Sequence, residues 1–163
     1  LANLDGLPLR NASVDVVVSC QVIEHLWDLP RALRESHRIL RPGGYLCATT
    51  PNRLTFSPGL GRGEKPVNPF HVEEFDAEQV REFLTNAGFD DIRLMGVHHG
   101  ERLARWEAEH GSIVAAQVAA VLSGHWPAHV RDMVSTVTLK DFEVSAGNID
   151  ASVDLLAIGR VPG

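Results

Sequence analysis

The sequence predicts an α/β domain built on a parallel sheet, and three observations support this prediction. Val14 to Ser19 is a nearly continuous run of β-branched residues, which is typical of a strand buried on both faces of such a sheet. Tyr45 to Thr50 is a second short apolar run. Between them, Asp28 can cap a helix that Arg41-Pro42-Gly43-Gly44 would end. Strand, helix and strand in this order predict a right-handed crossover.

The segment after the second strand differs in composition from the rest of the chain. From Pro51 to Phe70 it is rich in Pro, Gly and Asn and lacks either hydrophobic period, which predicts a lid or binding loop over residues 51–75. Asp76 and Gln79 then predict a capping box at the start of another helix. Phe89 to Val97 alternates weakly and predicts a third strand.

The C-terminal part of the chain predicts helices followed by strands. Glu101 to Leu122 has a helical apolar stripe, and Pro127 can open a further helix, so we expect a helical insertion over residues 101–136. Val137 to Val144 and Ser152 to Val161 then predict a hairpin-like pair of strands, which makes the final strand antiparallel.

Composition restricts the function. A chain of 163 residues that is 44% hydrophobic and 22% charged predicts a single globular domain. The net charge of -6 argues against a protein that holds nucleic acid mainly by electrostatic attraction. The two cysteines, Cys20 and Cys47, fall in predicted buried strands and indicate reduced thiols of a cytoplasmic protein. Because Ile113 to Leu122 is short and contains Gln117, we expect no membrane span.

The start of the chain carries an expectation of its own. Within a few residues of Leu1 the sequence already leads into a predicted buried strand, which needs a neighbour on each side. We therefore expect that an N-terminal portion is missing. A strand edge left open in this way favours pairing between chains, as in a homodimer.

Polar residues stand where the first strand ends. Ser19, Cys20, Gln21, Glu24 and His25 follow the valine run, at the edge where open α/β sheets bind their ligands. If these residues form a turn of helix, then Gln21, Glu24 and His25 share one face. The sequence therefore predicts the functional site here.

These motifs together resemble those of the class I S-adenosylmethionine-dependent methyltransferases, and the similarity runs from Asn3 to about Val97. The resemblance implies a Rossmann-like methyltransferase sheet that is incomplete at its N-terminal side, with C-terminal helices and a final antiparallel strand. The chain would then be the C-terminal two-thirds of a catalytic domain. The matching segments, in the order of the family, are Leu7-Pro8-Leu9, Ser13-Val14-Asp15-Val16-Val17, Val22-Ile23-Glu24-His25-Leu26, Arg38-Ile39-Leu40-Arg41-Pro42-Gly43-Gly44, Thr50-Pro51-Asn52 and Ala87-Gly88-Phe89.

The resemblance implies S-adenosyl-L-methionine as the cofactor. It places Asn3 and Leu4 beside the adenine ring, and Ser19, Cys20 and Gln21 beside the methionine part. The family's glycine-rich loop and its acidic ribose-binding residue have no counterpart in this sequence, so this chain alone is expected to hold the cofactor poorly.

Methylation of a hydroxyl group requires a base or a metal ion to remove or mask its proton. Glu24, His25 and His71 could supply either. The sequence resembles, more narrowly, small-RNA 2′-O-methyltransferases and ubiquinone-pathway O-methyltransferases, whose Glu-x-x-Glu-His segment binds a divalent ion. Here Gln21 replaces the first Glu, which weakens a site for Mg²⁺ or Mn²⁺. The alternative is that Glu24 and His25 cap or orient a helix and that His71 bonds the backbone of the lid.

The resulting hypothesis is an O-methyltransferase acting on a small-molecule, sugar or lipid-linked acceptor, with His71, His25 and Glu24 as catalytic or metal-binding residues. Two alternatives stay open: an RNA 2′-O-methyltransferase with a divalent metal, and a non-catalytic interaction domain. His98 and His99 could line an acceptor pocket, although an exposed loop pair is the favoured interpretation.

Overall fold

The computed structural model describes residues 3–4 and 6–163 as an α/β fold on one five-stranded mixed sheet. The strands are β1 (Val14–Cys20), β2 (Leu40–Pro51), β3 (Asp90–His99), β4 (Phe142–Ser145) and β5 (Asp154–Arg160). Their order in the sheet is β1-β2-β5-β3-β4. β1 and β2 are parallel, whereas β5 is antiparallel to its neighbours β2 and β3. The predicted fold class, including the antiparallel final strand, is confirmed.

Six α-helices connect and cover the described strands, and short 3-10 turns lie at residues 23–25, 139–141 and 149–151. The helices are α1 (Leu29–Ile39), α2 (Arg53–Phe56), α3 (Ala77–Asn86), α4 (Glu101–His110), α5 (Ile113–Ser123) and α6 (Ala128–Val134).

The predicted helix starts are confirmed by their capping contacts. The Asp28 carboxylate accepts a hydrogen bond of 3.0 Å from the Arg31 amide at the start of α1. At the start of α3, Asp76 accepts from the Gln79 amide and the Gln79 side chain accepts from the Asp76 amide, which completes the capping box. Each cap satisfies backbone donors that have no partner inside the helix.

The main core lies between the sheet and helices α1 and α3. Leu46 of β2 and Leu155 of β5 are each only 1% exposed, and they pack with Leu33 of α1 and Leu84 of α3. Full burial of one such side chain contributes roughly 1.5–3 kcal/mol. A second, smaller cluster of Leu103, Ile113 and Met133 joins the C-terminal helices.

The prediction that the first strand is buried on both faces is wrong. Val16 and Val18 are 55% and 65% exposed. The reason is topological, because β1 stands at the edge of the sheet and pairs only with β2 among the described residues. Cys20 is exposed and Cys47 is partly buried, so the prediction of two buried thiols fails for Cys20.

The predicted hairpin of the last two strands is also wrong. β4 pairs with β3, whereas β5 inserts between β2 and β3. Leu155 and Ala157 of β5 are buried, as a central strand requires, while three of the four residues of β4 are exposed. An alternating pattern predicts a strand but does not identify its partner.

The lid segment, residues 51–75, has more structure than its composition predicts. It contains helix α2 and four buried polar residues, Asn52, Arg53, Ser57 and Glu74. The Asn52 amide donates to the carbonyl oxygens of Ile149 and Ser152, each at 3.1 Å, which fastens the start of the segment to the chain before β5. Because these contacts are polar, they could not be predicted from a hydrophobic period in the sequence.

The C-terminal helices form as three separate helices in the predicted region, with Gly111 at the end of α4. None of the described helices is both long and apolar enough to cross a membrane.

Candidate functional site

One edge of the sheet collects the ends of four strands. The carboxyl ends of the parallel strands β1 and β2 lie at Cys20 and Pro51. β5 runs the opposite way, so its first residue, Asp154, pairs with Pro51 at the same edge. On its other side, Asp154 pairs with Val97 of β3, which stands two residues before the last residue of that strand, His99. Side chains distant in sequence therefore meet at this edge.

A tight turn leads out of β1. Gln21 has a φ of +53°, in the left-handed region, and its amide donates to the Thr49 carbonyl oxygen at 3.0 Å. Only Ile23–His25 is helical. The prediction that Gln21, Glu24 and His25 share one helical face is therefore wrong, because the hydrogen bond to β2 extends the strand pairing through Gln21.

Glu24 is the buried centre of this turn, with 1% of its surface exposed. Its carboxylate accepts a hydrogen bond of 3.0 Å from the Thr50 hydroxyl. Its carbonyl oxygen accepts hydrogen bonds from the amides of Val72 and Glu73, at 2.8 and 3.3 Å. Glu24 thus ties the end of the lid segment to the end of β1.

His71 lies against the turn and is held at both ring nitrogens. Its Nδ1 is 2.6 Å from Glu74 Oε1, and its Nε2 is 2.9 Å from the Asn68 side-chain nitrogen. Glu74 is buried and also accepts a hydrogen bond of 2.7 Å from the Ser57 hydroxyl. Because a carboxylate only accepts hydrogen bonds, Nδ1 of His71 carries a proton.

His25 is the accessible member of the group. Its Nδ1 is 2.8 Å from the Phe70 carbonyl oxygen, so Nδ1 donates and, in the neutral ring, Nε2 keeps its lone pair. That Nε2 lies 3.8 Å from Glu24 Oε1, and the His25 side chain is 45% exposed. The rings of His25 and His71 meet edge to face with centroids 5.0 Å apart.

The structure therefore brings together the three residues predicted to act on a proton or a metal ion. One potential ligand atom from each of Glu24, His25 and His71 lies within 4.8 Å of the others. Two atoms bound to one ion stand closer than this, so binding would require a small movement of side chains. His25 and His71 each turn Nδ1 to an acceptor, as metal-bound histidines do.

The predicted cofactor residues lie around the same turn. Asn3 and Leu4 line a groove of about 240 Å³ with His25 and Trp27. Leu4 and Ser19 line a second groove, of about 130 Å³. Cys20 and Gln21 are exposed at the end of β1. We call these five residues the cofactor strip, although Cys20 and Gln21 line neither of the two grooves.

Asp154 is a site residue that the sequence analysis missed. Burial raises the pKa of its carboxyl group to about 6, and the nearby charge of Glu24 acts in the same direction. A hydrogen bond from Gln21 and the charge of His99 oppose this shift. The sequence did contain a sign of this residue, because an acidic residue stands at the start of an apolar, alternating strand. The predicted hairpin, however, placed that strand away from the site.

The favoured interpretation placed His99 in an exposed loop, and this is wrong: His99 is the last residue of β3. Its Nδ1 is 2.9 Å from Glu107 Oε2 of α4, and its side chain is 11% exposed. Its neighbour His98 has a buried Nε2 without a hydrogen-bond partner among the described residues. His99 and Asp154 both face a cavity beneath the C-terminal helices.

Comparisons with known proteins agree in family and fold. A family model described as a methyltransferase domain matches residues 1–48. A probable S-adenosylmethionine-dependent methyltransferase of Mycobacterium tuberculosis is 49% identical over 99% of the chain, which spans 60% of that relative. A 2-methyl-6-phytyl-1,4-hydroquinone methyltransferase of Arabidopsis thaliana is 32% identical over 72% of the chain and is covered over 32% of its length.

A solved structure shows the same fold at low sequence identity. The crystal structure of an S-adenosylmethionine-dependent methyltransferase from Thermotoga maritima matches with a TM-score of 0.63 and 18% identity. The match covers 98% of the chain and 61% of that protein. At this identity the likeness concerns the arrangement of strands and helices, and the chemistry of the site has to be argued from its own residues.

Proposed function

We infer that the chain belongs to the class I S-adenosylmethionine-dependent methyltransferases, and we propose that the whole protein transfers the methyl group of S-adenosylmethionine to an oxygen atom of a small-molecule, sugar or lipid-linked acceptor. The observation that carries this proposal is the convergence of Glu24, His25 and His71 at the sheet edge, next to the strip of predicted cofactor residues. A base beside a cofactor site is the arrangement that methylation of a hydroxyl group requires.

S-adenosylmethionine, when bound, supplies an electrophilic methyl group on a sulfonium centre. Asn3 and Leu4 would hold its adenine ring, and Ser19, Cys20 and Gln21 its methionine part. Two grooves support part of this assignment, because Asn3 and Leu4 line one of them and Leu4 and Ser19 line the other. Gln21 leaves the strand direction there and is an exposed residue at the end of β1.

His25 is placed to take the proton of the acceptor hydroxyl. The Phe70 carbonyl fixes the proton on Nδ1, which leaves the lone pair of the exposed Nε2 free. As the new oxygen–carbon bond forms, the sulfur–methyl bond would break and its electron pair would stay on the sulfur as a neutral thioether. The hydroxyl proton would pass to Nε2 of His25, and the carboxylate of Glu24 would stabilise the resulting imidazolium. His71 would serve beside it as a second base once its contact with Asn68 opens.

The test is turnover in the full protein, with methyl-labelled S-adenosylmethionine and 4-butylphenol as the acceptor probe. We expect His71→Ala and His25→Ala each to lower turnover by about a hundredfold, the usual contribution of a general base. Calorimetry should show nearly unchanged affinity for S-adenosylmethionine in both variants.

The matched control is His125→Ala, which removes an exposed histidine remote in sequence from the site. Turnover unchanged in both test variants would reject the role of the histidines. The absence of any methylated phenol with the unmodified protein would count against O-methylation of such acceptors.

A bound divalent ion is a second candidate for masking the charge of the acceptor oxygen, in place of a histidine base. The orientation of the His25 and His71 rings favours such an ion. We propose that Mg²⁺ or Mn²⁺ binds Glu24 together with Nε2 of His25 and of His71, because both Nδ1 atoms are already turned to an oxygen acceptor. Such an ion would mask the charge of an acceptor oxygen. Calorimetric titration with MnCl₂ should show one site that His25→Ala removes. Equal binding by both proteins, or none by either, would contradict the metal site.

The edge of β1 that pairs with no other strand among the described residues is a possible surface for pairing with a second copy of the chain. Val16 and Val18 are exposed beside it, and a homodimer that pairs two such edges stays a prediction, which size-exclusion chromatography checks. With a net charge of -6, nucleic acid is disfavoured as the acceptor.

A further inference from the structure

A cavity of about 290 Å³ lies between the sheet edge and the helices α4, α5 and α6. This volume is at the lower end of the range found for small-molecule sites, and it admits a substituted aromatic ring or a short alkyl group. Its wall is mainly apolar. The apolar residues that line it include Phe56, Leu103, Ile113, Val114, Met133 and Val137.

Three polar side chains interrupt this wall: His99, Gln117 and Asp154. His99 is already engaged, since its Nδ1 is 2.9 Å from Glu107 Oε2. Asp154 is different. The groups that act on its carboxylate are Gln21, Glu24 and His99, and none of these is a lysine or an arginine. Within the described chain, Asp154 is therefore a partly buried acid without a strong cationic partner, and such a group gains from a ligand that donates a hydrogen bond.

The position of Asp154 links the cavity to the proposed cofactor strip. Asp154 pairs with Pro51 at the end of β2 and with Val97 near the end of β3. The side chain of Gln21, at the end of β1, also acts on the Asp154 carboxyl group and lowers its pKa against the effect of burial. A ligand whose apolar body fills the cavity and whose polar group meets Asp154 would thus present that polar group beside the residues assigned to the cofactor.

We propose that this cavity binds the methyl acceptor, an apolar alcohol or phenol whose body lies against the C-terminal helices. Asp154 accepts a hydrogen bond from the acceptor hydroxyl in the complex that precedes methyl transfer, before that single proton passes to His25. The proposal rests on the methyltransferase function proposed above, and it narrows the acceptor class. A neutral alcohol or phenol satisfies the carboxylate, whereas an acid of the same shape places a second negative charge beside Asp154 and Glu24. Asp154 is accordingly a specificity-determining residue.

Calorimetry with three probes of similar shape tests this proposal directly: 4-butylphenol, butylbenzene and 4-butylbenzoate. The unmodified protein should bind 4-butylphenol and discriminate against 4-butylbenzoate. Asp154→Ala should weaken binding of 4-butylphenol by about tenfold, the usual effect of one hydrogen bond to a charged group, and leave butylbenzene unchanged. Asp154→Asn, which keeps the shape of the side chain, should weaken 4-butylphenol less and improve 4-butylbenzoate.

The control is Asp150→Ala, which removes an exposed carboxylate four residues earlier and should leave all three affinities unchanged. Circular dichroism of each variant verifies that it is folded. Equal affinity of the unmodified protein and both Asp154 variants for 4-butylphenol would overturn the proposal, as would no binding at millimolar concentration.

The outcome is separable from that of the proposed function, because the binding measurement needs no cofactor. Phenol binding that depends on Asp154 without methyl transfer would keep this site and reject the function. Methyl transfer whose KM for 4-butylphenol is unaffected by Asp154→Ala would keep the function and reject this site.

Discussion

Two acidic residues at the sheet edge, Glu74 and Asp154, differ in how their charges are satisfied. Glu74 is 1% exposed and accepts hydrogen bonds from the Ser57 hydroxyl and from His71, at 2.7 and 2.6 Å. Asp154 is held by the neutral amide of Gln21 and by the longer-range charge of His99, and the charge of Glu24 opposes its ionisation. The comparison indicates that one acid orients a histidine, while the other is left with bonding capacity for a ligand.

The largest effect on the free energy of unfolding should follow from removing Glu74, the acid whose hydrogen bonds are satisfied. Glu74→Ala leaves the Ser57 hydroxyl and His71 Nδ1 without their acceptor in a buried place, and we expect the free energy of unfolding to fall by about 3 kcal/mol. Urea denaturation at pH 7 measures this loss.

A matched control for this change is Glu109→Ala, which removes an exposed carboxylate from α4 and should alter the free energy of unfolding by less than about 0.5 kcal/mol. A similar small effect for Glu74→Ala would show that the buried contacts of Glu74 contribute nothing and would remove the contrast with Asp154.

A smaller effect, of opposite sign, is expected at Asp154. Its pKa rises on folding from 3.8 to about 6, so between these values the folded state binds more protons than the unfolded state. Stability from this group is present at low pH and is lost as the pH rises toward 6. At pH 8, Asp154→Asn should therefore be more stable than the unmodified protein, by on the order of 2 kcal/mol.

Urea denaturation at pH 4 and pH 8 checks this prediction, and the difference between the two proteins should nearly vanish at pH 4. Asp150→Asn, at an exposed position, should show no such pH-dependent gain. An Asp154→Asn variant that is less stable at both pH values would indicate that the carboxylate is well satisfied, and would set Asp154 alongside Glu74.

Much of the fold could be predicted from local signals. The caps at Asp28 and Asp76, and the strands on either side of α1, follow from residues that act over a few positions. The exposure of Val16 and Val18 could not be predicted, because hydrophobic pattern does not tell an edge strand from a central one.

The candidate site divides in the same way. The motifs predicted Glu24, His25 and His71 as one group of catalytic or metal-binding residues, and the structure places one ligand atom of each within 4.8 Å of the others. Their chemical roles stay proposals. Asp154 escaped prediction, because its position depends on β5 inserting between β2 and β3, which is decided by packing distant in sequence. His99 was named as possible lining of an acceptor pocket, but the favoured interpretation placed it in an exposed loop.

The most direct test of the account is steady-state kinetics of methyl transfer to 4-butylphenol in the full protein. If the histidines act on the proton and Asp154 binds the acceptor, His71→Ala should lower kcat with little change in KM for the phenol. Asp154→Ala should raise that KM by about tenfold with a smaller change in kcat. The same change of kcat and KM in both variants would contradict the division of roles between the two sides of the sheet edge.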